Sequence, residues 1–195
     1  MRTDDKRQRI LAAATAVFAE RDFHRVQVSD VATRAGVGKG TVYLYFPTKD
    51  ALHKVALQES LDGLAAEIER AAAADAPAAE GLRQIVVSIL RFFWRRQHLL
   101  EVVQRFEWRG GLRGSDRRHV ALRAVERVLA RHRLGGTGAA RRLAAACLLG
   151  IARAAILYHE PTDRPEATAG RLVSLYLGGI GPAGSAVSRR QRGAA

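Results

Sequence analysis

The chain has 195 residues, of which 48% are hydrophobic and 26% charged, a composition typical of a globular protein rather than a disordered one. Its single cysteine, Cys147, can form neither a disulfide framework nor a cysteine-based zinc site, which favours a reducing compartment. Residues 1–9 are polar and do not resemble a secretory signal, and the longest apolar run, 143–158, is interrupted by Arg153 and too short to span a bilayer. We therefore expect a cytoplasmic protein with no membrane partner.

The net charge of +13 favours a polyanionic partner, but its distribution is uneven. Residues 1–50 carry 9 basic and 6 acidic side chains, whereas residues 111–195 carry 15 and 5. Two interpretations stay open for the C-terminal excess: a functional basic patch, or an arginine-rich solvated surface.

Helical patterns dominate the first third of the chain. A first helix ends near Asp22, and two short helices, 28–35 and 39–46, are separated by Gly36-Val37-Gly38. Thr48 is placed to cap a long fourth helix.

The remainder predicts five more helices, about nine in all, so the fold class is all-α. The strongest periodic run predicts a buried stripe that contains Leu82, Ile85, Val86, Ile89, Leu90 and Phe93. The helix of about 138–159 is apolar on more than one face, which predicts burial on two sides, and Pro165 is a good first residue for the last helix.

Residues 28–46 have the pattern of a helix-turn-helix, in which the second helix enters the major groove of DNA. Helical spacing turns Val42 and Phe46 inward and Leu44 outward, with Tyr43 and Tyr45 on either side. Threonine and leucine can contact thymine methyl groups, lysine can reach guanine acceptors, and tyrosine hydroxyls can bond phosphates. The alternatives are that the tyrosines only pack at the edge of the core, that Leu44 is merely exposed and that Lys49 is a solvated lysine at a helix start.

The segment AGVGKGTVYLYFPTKDAL, preceded by ILAAATAVFAERDF, resembles the DNA-binding signature of the TetR family of transcriptional regulators. The resemblance implies a three-helix helix-turn-helix domain over residues 4–64, joined by a long helix to an effector-binding and dimerisation domain over 65–181, with a basic tail over 182–195. By position it implies base contacts from Lys39, Gly40, Thr41 and Leu44. It implies phosphate contacts from Ser29, Tyr43, Tyr45 and Lys49.

Three positions depart from the family pattern. Asp22 stands where the family usually has glycine, and aspartate tolerates a left-handed conformation better than most residues. Val26-Gln27 replaces a Thr/Ser pair, so the resemblance does not extend to the family's side-chain cap of the supporting helix, worth about 1 kcal/mol, or to one phosphate contact. Gly38 replaces a common serine cap and is an acceptable substitute.

The resemblance also implies a small-molecule effector pocket and a homodimer built on the last two helices. The pocket candidates are Phe93, Trp94, Phe106, Trp108, Cys147 and Tyr158. The dimer-interface candidates are Leu148, Ile151, Ala155, Leu172, Leu175 and Tyr176. The aromatic residues have an alternative interpretation as ordinary core, and Cys147 as a buried small hydrophobic residue.

Other chemistries fit the sequence poorly. The glycines at 36–40 lack the spacing and the preceding strand of a phosphate loop, and the histidines lack the spacing of a zinc site. We expect no enzyme, no metal and no cofactor. The expected function is that of a ligand-released repressor that binds a pseudo-palindromic operator as a dimer. Two alternatives remain: a DNA-binding regulator controlled by a partner protein, and an all-helical enzyme or ligand-binding module.

Overall fold

The computed structural model describes residues 2–96, 119–160 and 162–179. These ranges contain eight α-helices, one 3-10 helix and no strand. The helices are α1 (Arg2–Glu20), α2 (Val28–Ala35), α3 (Lys39–Tyr45), α4 (Lys49–Ala73), α5 (Ala78–Trp94), α6 (Val120–Arg131), α7 (Gly138–Leu157) and α8 (Pro165–Gly179), and the 3-10 helix is Phe23–Arg25. The predicted all-α fold is confirmed; residues 97–118, which fall within the predicted effector-binding domain, and the tail over 182–195 lie outside the described residues.

The described residues divide into two compact units, 2–64 with 95–96 and 65–94 with 119–160 and 162–179. The long helix α4 contributes to both units, since it runs from 49 to 73. Its first turn is capped as predicted, because the amide of Ala51 donates a 3.0 Å hydrogen bond to Oγ1 of Thr48.

The first unit is built around the apolar face of α1. Buried residues of α2, of α3 and of the start of α4 pack against this face. The core of this unit contains Ile10, Ala14, Val17 and Phe18 from α1. From the rest of the unit it contains Val31, Ala35, Val42, Phe46, Leu52 and Ala56. Burial of this apolar surface is the main contribution to the stability of the unit.

The turn between α2 and α3 is tight and needs glycine at its first position. Gly36 adopts φ +65°, a left-handed conformation that ends α2, and the amide of Val37 donates to the carbonyl of Ala32. Gly38 then caps α3 with extended backbone, as its carbonyl accepts from the amide of Thr41 at 2.9 Å. The Gly36-Val37-Gly38 segment therefore sets where the second short helix begins.

Two local expectations about the first unit are corrected by the backbone. Asp22 has φ −58°, so this position does not use the left-handed region, and no conformational cost follows from the absence of glycine. The N-terminus of α2 keeps a hydrogen bond to a side chain despite the Val26-Gln27 pair. The backbone N–H of Gln27 donates to Oδ2 of Asp30 at 3.1 Å.

In the second unit, α5 is the central helix and packs against α6, α7 and α8, while α7 also packs against α6 and α8. The predicted stripe is buried from Leu82 to Leu90, whereas Phe93 is only half-buried. Val87 and Phe92 are buried as well, because α5 has neighbours on several sides. The phenol of Tyr176 on α8 donates a 2.8 Å hydrogen bond to the carbonyl of Ala144 on α7 and so joins these two helices.

Candidate nucleic-acid interface

Helix α3 is a short helix with one side in the core and the other in solvent. Val42 is fully buried, and Phe46, the residue after the helix, is almost fully buried. Leu44, on the opposite side, is 84% exposed, which is unusual for a leucine. The orientation predicted from helical spacing is therefore the one observed.

The base-contact candidates lie together on the outer side of α3. Lys39, Gly40 and Leu44 are exposed, and Thr41 is half-buried in the first turn. A Cβ built at Gly40 would meet no atom within 4 Å, so nothing inside the chain requires glycine there. This surface combines a cation, a hydroxyl, an isobutyl group and bare backbone, which are the groups that read base edges in a major groove.

The two tyrosines of α3 have different environments. Tyr43 is 41% exposed, whereas Tyr45 is half-buried and packs against the core of the first unit. A tyrosine packed by its ring can still present its hydroxyl to a phosphate, so the packing interpretation and the contact interpretation are compatible for Tyr45.

Ser29 lies at the N-terminus of α2, where it is half-buried. Its hydroxyl donates to Oε1 of Gln27 at 3.3 Å, and Gln27 itself is exposed. The side-chain amide of Gln27 thus lies beside the Ser29 hydroxyl, and these two polar groups lie at the N-terminus of α2.

Lys49 is the first residue of α4, and its ammonium lies 4.3 Å from the ring centroid of Phe23, a cation–π contact. The ring of Phe23 is in turn packed against the rings of Phe18, His24 and His53. Sequence reasoning selected Lys49 but missed Phe23. The signal available was an aromatic residue directly after the first helix, which periodicity alone does not connect to a lysine 26 positions away.

Arg9 is a second residue that sequence reasoning missed. Its Nη2 donates a 2.7 Å hydrogen bond to the carbonyl of Ala35, the last residue of α2. A polar residue on an amphipathic helix is expected to be solvated, so no sequence pattern indicates this contact.

The effector-pocket candidates that the structure describes differ in their exposure. Phe93 and Trp94 are half-buried at the end of α5, and the Trp94 ring stacks on His159 with centroids 4.7 Å apart. Tyr158 is 83% exposed and Cys147 is exposed, so the expectation that they line a cavity of the protomer is wrong, as is the expectation of a buried thiol. Phe106 and Trp108 lie outside the described residues.

The dimer-interface candidates divide into two groups. Leu148 and Tyr176 lie in the core of the protomer, which corrects their assignment to an outer face. Ile151 and Leu175 are exposed, and Ala155 and Leu172 are half-buried. The exposed apolar face of the last two helices, hereafter the apolar face, consists of Leu143, Cys147, Ile151, Leu157, Tyr158 and Leu175.

The reason for this division is the register of α7. Its buried residues are Ala145, Leu148, Ala152 and Ile156, which follow one another at helical spacing. Leu143, Cys147 and Ile151 are offset from that stripe and point outward. A helix that is apolar all round does not reveal by its sequence which of its faces is the inner one.

Among residues 2–96, 119–160 and 162–179, no group of three or more metal-ligating side chains is brought together. In the same ranges no helix is long and apolar enough to cross a bilayer.

Two short helices joined by a tight glycine turn, the second of which exposes Lys39, Tyr43 and Leu44, place the chain in the class of helix-turn-helix proteins. Residues 10–56 match the family model described as bacterial regulatory proteins of the tetR family. The resemblance to the TetR family predicted from the motifs is thus confirmed over this N-terminal domain.

The curated relatives match about a quarter to a half of this chain. The transcriptional activator FasR of Mycolicibacterium smegmatis is 32% identical over 89 residues, 46% of this chain and 41% of its own. The transcriptional repressor KstR of the same organism is 35% identical over 101 residues, 52% of this chain and 50% of its own. The chain thus spans about half the length of the curated relatives it matches.

Solved structures share the fold over most of the chain. A tetR-family regulator from Streptomyces coelicolor aligns with a TM-score of 0.67 at 22% identity, over 91% of this chain and 81% of that one. The regulator FadR of Bacillus subtilis, solved in complex with stearoyl-CoA, aligns with a TM-score of 0.64 at 23% identity, over 89% and 99% of the two chains. All four of these proteins are transcription regulators.

Proposed function

We propose that this protein is a sequence-specific, DNA-binding transcriptional regulator that acts in the cytoplasm as a homodimer, represses its target and is released by a small molecule. The single observation that carries the proposal is the outer side of α3. There Leu44 is almost fully exposed beside Lys39 and Thr41, while the opposite side of the same helix is fixed in the core by Val42.

An exposed leucine has no stabilising role within the protomer, because it leaves its apolar surface in water. In a major groove the same side chain contacts thymine methyl groups, and Lys39 reaches guanine acceptors from the first turn. Tyr43, Tyr45, Lys49 and Ser29 then bond phosphates on either side, which fixes the register on the duplex without reading its sequence.

The homodimer is supported by the apolar face. Six apolar side chains on two adjacent helices are exposed, and a soluble monomer rarely leaves a large apolar surface in water. A second copy buries the same residues in an isologous interface, and this interface gives the pair a two-fold axis. Two recognition helices related by such an axis bind two inverted half-sites, so we expect a pseudo-palindromic operator.

An effector site is supported by Trp94. Its indole Nε1 is buried but has no hydrogen-bond partner among the residues that the structure describes. A buried N–H without an acceptor is costly, and an acceptor atom of a bound ligand removes that cost. FadR of Bacillus subtilis was solved with stearoyl-CoA, which supports control by a small molecule in this fold. The effector acts only if it binds the DNA-free and DNA-bound states with different affinity.

The proposal is tested by selecting bound sequences from a random duplex library with the full chain. We expect enrichment of an inverted repeat, and tight binding of that duplex compared with mixed-sequence DNA. Lys39→Ala is expected to weaken the selected duplex more than the matched control Lys54→Ala, since Lys54 is exposed on α4 and lies outside the proposed surface. A library without any enriched motif contradicts specific DNA binding.

The control by ligand needs a second measurement on the complex. Compounds are added to the protein bound to its selected duplex, and release is followed by fluorescence anisotropy. Release by a compound that also quenches tryptophan fluorescence in the wild type, but not in a Trp94→Phe variant, supports the effector site. Release only by a cellular protein fraction supports the alternative of a partner protein.

A further inference from the structure

The ring of Phe23 is held from three directions. It lies 4.9 Å from the His53 ring on α4 and 6.2 Å from the Phe18 ring on α1, with the His24 ring at 5.3 Å edge-on. All distances join ring centroids. The short 3-10 helix that carries Phe23 has no buried residue of its own, so these contacts with α1 and α4 fix the ring.

The Lys49 ammonium makes a cation–π contact with the ring of Phe23. Its Nζ lies 4.3 Å from the centroid of Phe23, and its side chain makes no hydrogen bond or ion pair among the described residues. An ammonium has three N–H donors, and a ring on one side of it leaves donors free on the other. Lys49 is therefore restrained in direction while it remains able to bind an anion.

We propose that Phe23 is a positioning residue for DNA binding: its ring holds the Lys49 ammonium in place for a backbone phosphate. The inference rests on the proposed function, because the phosphate is that of the duplex bound by α3. A free lysine loses much rotamer freedom when it binds, whereas a lysine already restrained by a ring loses less. Phe23 itself carries no charge and acts on DNA binding only through Lys49.

The test is a double-mutant cycle of duplex affinity with Phe23→Leu and Lys49→Ala. Leucine keeps an apolar side chain at position 23 but removes the aromatic face. We expect Phe23→Leu to weaken binding about two- to fivefold in the wild-type background, the size of an exposed cation–π contact, and to have no effect in the Lys49→Ala background. Phe23→Tyr keeps a ring and is expected to retain wild-type affinity.

Two further readouts separate positioning from folding. Lys49→Ala is expected to lower the slope of log affinity against log salt by about 1, and Phe23→Leu to leave that slope unchanged, because only the lysine displaces a counterion. A parallel cycle of Phe23→Leu with Lys39→Ala is the matched control, and it should be additive because the structure shows no contact between Lys39 and Phe23. Thermal unfolding of each variant confirms that the compared proteins are folded.

An equal loss from Phe23→Leu in both lysine backgrounds overturns the inference, as does failure of Phe23→Tyr to restore affinity. The cycle is also run on a mixed-sequence duplex, because a phosphate contact does not depend on sequence. If the library yields no enriched motif, the proposed function is overturned. If the effects of Phe23→Leu and Lys49→Ala on affinity for the mixed-sequence duplex simply add, only the role of Phe23 is overturned. A chain that binds neither duplex overturns both.

Discussion

Arg9 and Ala35 are joined by a 2.7 Å hydrogen bond from the guanidinium Nη2 of the first to the carbonyl oxygen of the second. The bond connects α1 to the C-terminal end of α2, where helix carbonyls lack partners and a cation is favourable. A Cβ built on Gly36 would lie 2.9 Å from the same nitrogen, so Arg9 also occupies the space beside the turn. The position of α3 therefore depends on a residue of the first helix.

Gly36→Ala is expected to destabilise the first unit by about 1–2 kcal/mol, because alanine is disfavoured at positive φ. The close approach of Arg9 adds to this cost unless its flexible side chain moves. Urea unfolding followed by circular dichroism measures the change. A free energy of unfolding equal to that of the wild type contradicts the account of the turn.

Gly40→Ala is expected to act in the opposite direction on stability. Gly40 lies inside α3, and a Cβ there would meet nothing within 4 Å, so alanine stabilises the helix by about 0.5–1 kcal/mol. The same methyl group stands between the backbone and the bases, so duplex affinity is expected to fall. A variant that is both more stable and binds the selected duplex as well as the wild type removes Gly40 from the interface.

Leu44→Asp and Leu175→Asp are expected to separate DNA binding from dimerisation. Both leucines are largely exposed in the protomer, 84% and 75%, so each substitution changes protomer stability by only about 0.5 kcal/mol. Leu44→Asp abolishes selection of the operator and leaves the dimer intact. Leu175→Asp weakens the dimer by about 2 kcal/mol or more, roughly 30-fold, because a carboxylate is buried in the apolar face.

The dimer dissociation constant is measured by sedimentation equilibrium, and duplex affinity is measured as well, on both variants. Leu44→Asp is the control for dimerisation, and Leu175→Asp is the control for DNA contact by α3. Leu175→Asp should still bind a duplex that contains a single half-site, since α3 is unchanged. Dimers of undiminished affinity in Leu175→Asp exclude the apolar face as the interface.

The buried phenol of Tyr176 makes stability depend on pH in the alkaline range. Burial, with a smaller contribution from the thiol of Cys147, raises the pKa of Tyr176 from its usual 10 to about 12. The unfolded chain loses this proton first, so stability is constant below pH 10 and falls as the pH rises from 10 to about 12. The size of the fall is on the order of 2 kcal/mol.

Tyr176→Phe is expected to lose the hydrogen bond to Ala144, at a cost of about 1 kcal/mol at neutral pH, and to lose this alkaline dependence. The free energy of unfolding is compared for the two proteins at pH 8, 10 and 11.5. Parallel curves for wild type and variant show that another group causes the alkaline loss.

The helix-turn-helix could be predicted from the sequence because its determinants are local. The predicted bounds of α2 are those observed, and α3 differs from its prediction by one residue at its end. Thr48 caps α4 as its position indicates, and Pro165 begins α8. The direction in which Leu44 points follows from helical periodicity once Val42 is inside.

The tertiary structure alone decided which apolar residues face which neighbour. On α7 the sequence offers apolar residues on several faces, and only the packing of α5, α6 and α8 places Leu148 inside and Cys147 outside. The bond from Arg9 to Ala35 and the contact of Lys49 with Phe23 join residues 26 positions apart. Helical periodicity fixes relations over three to eight residues, whereas such contacts depend on how separate helices meet, and that information is distributed over the whole core.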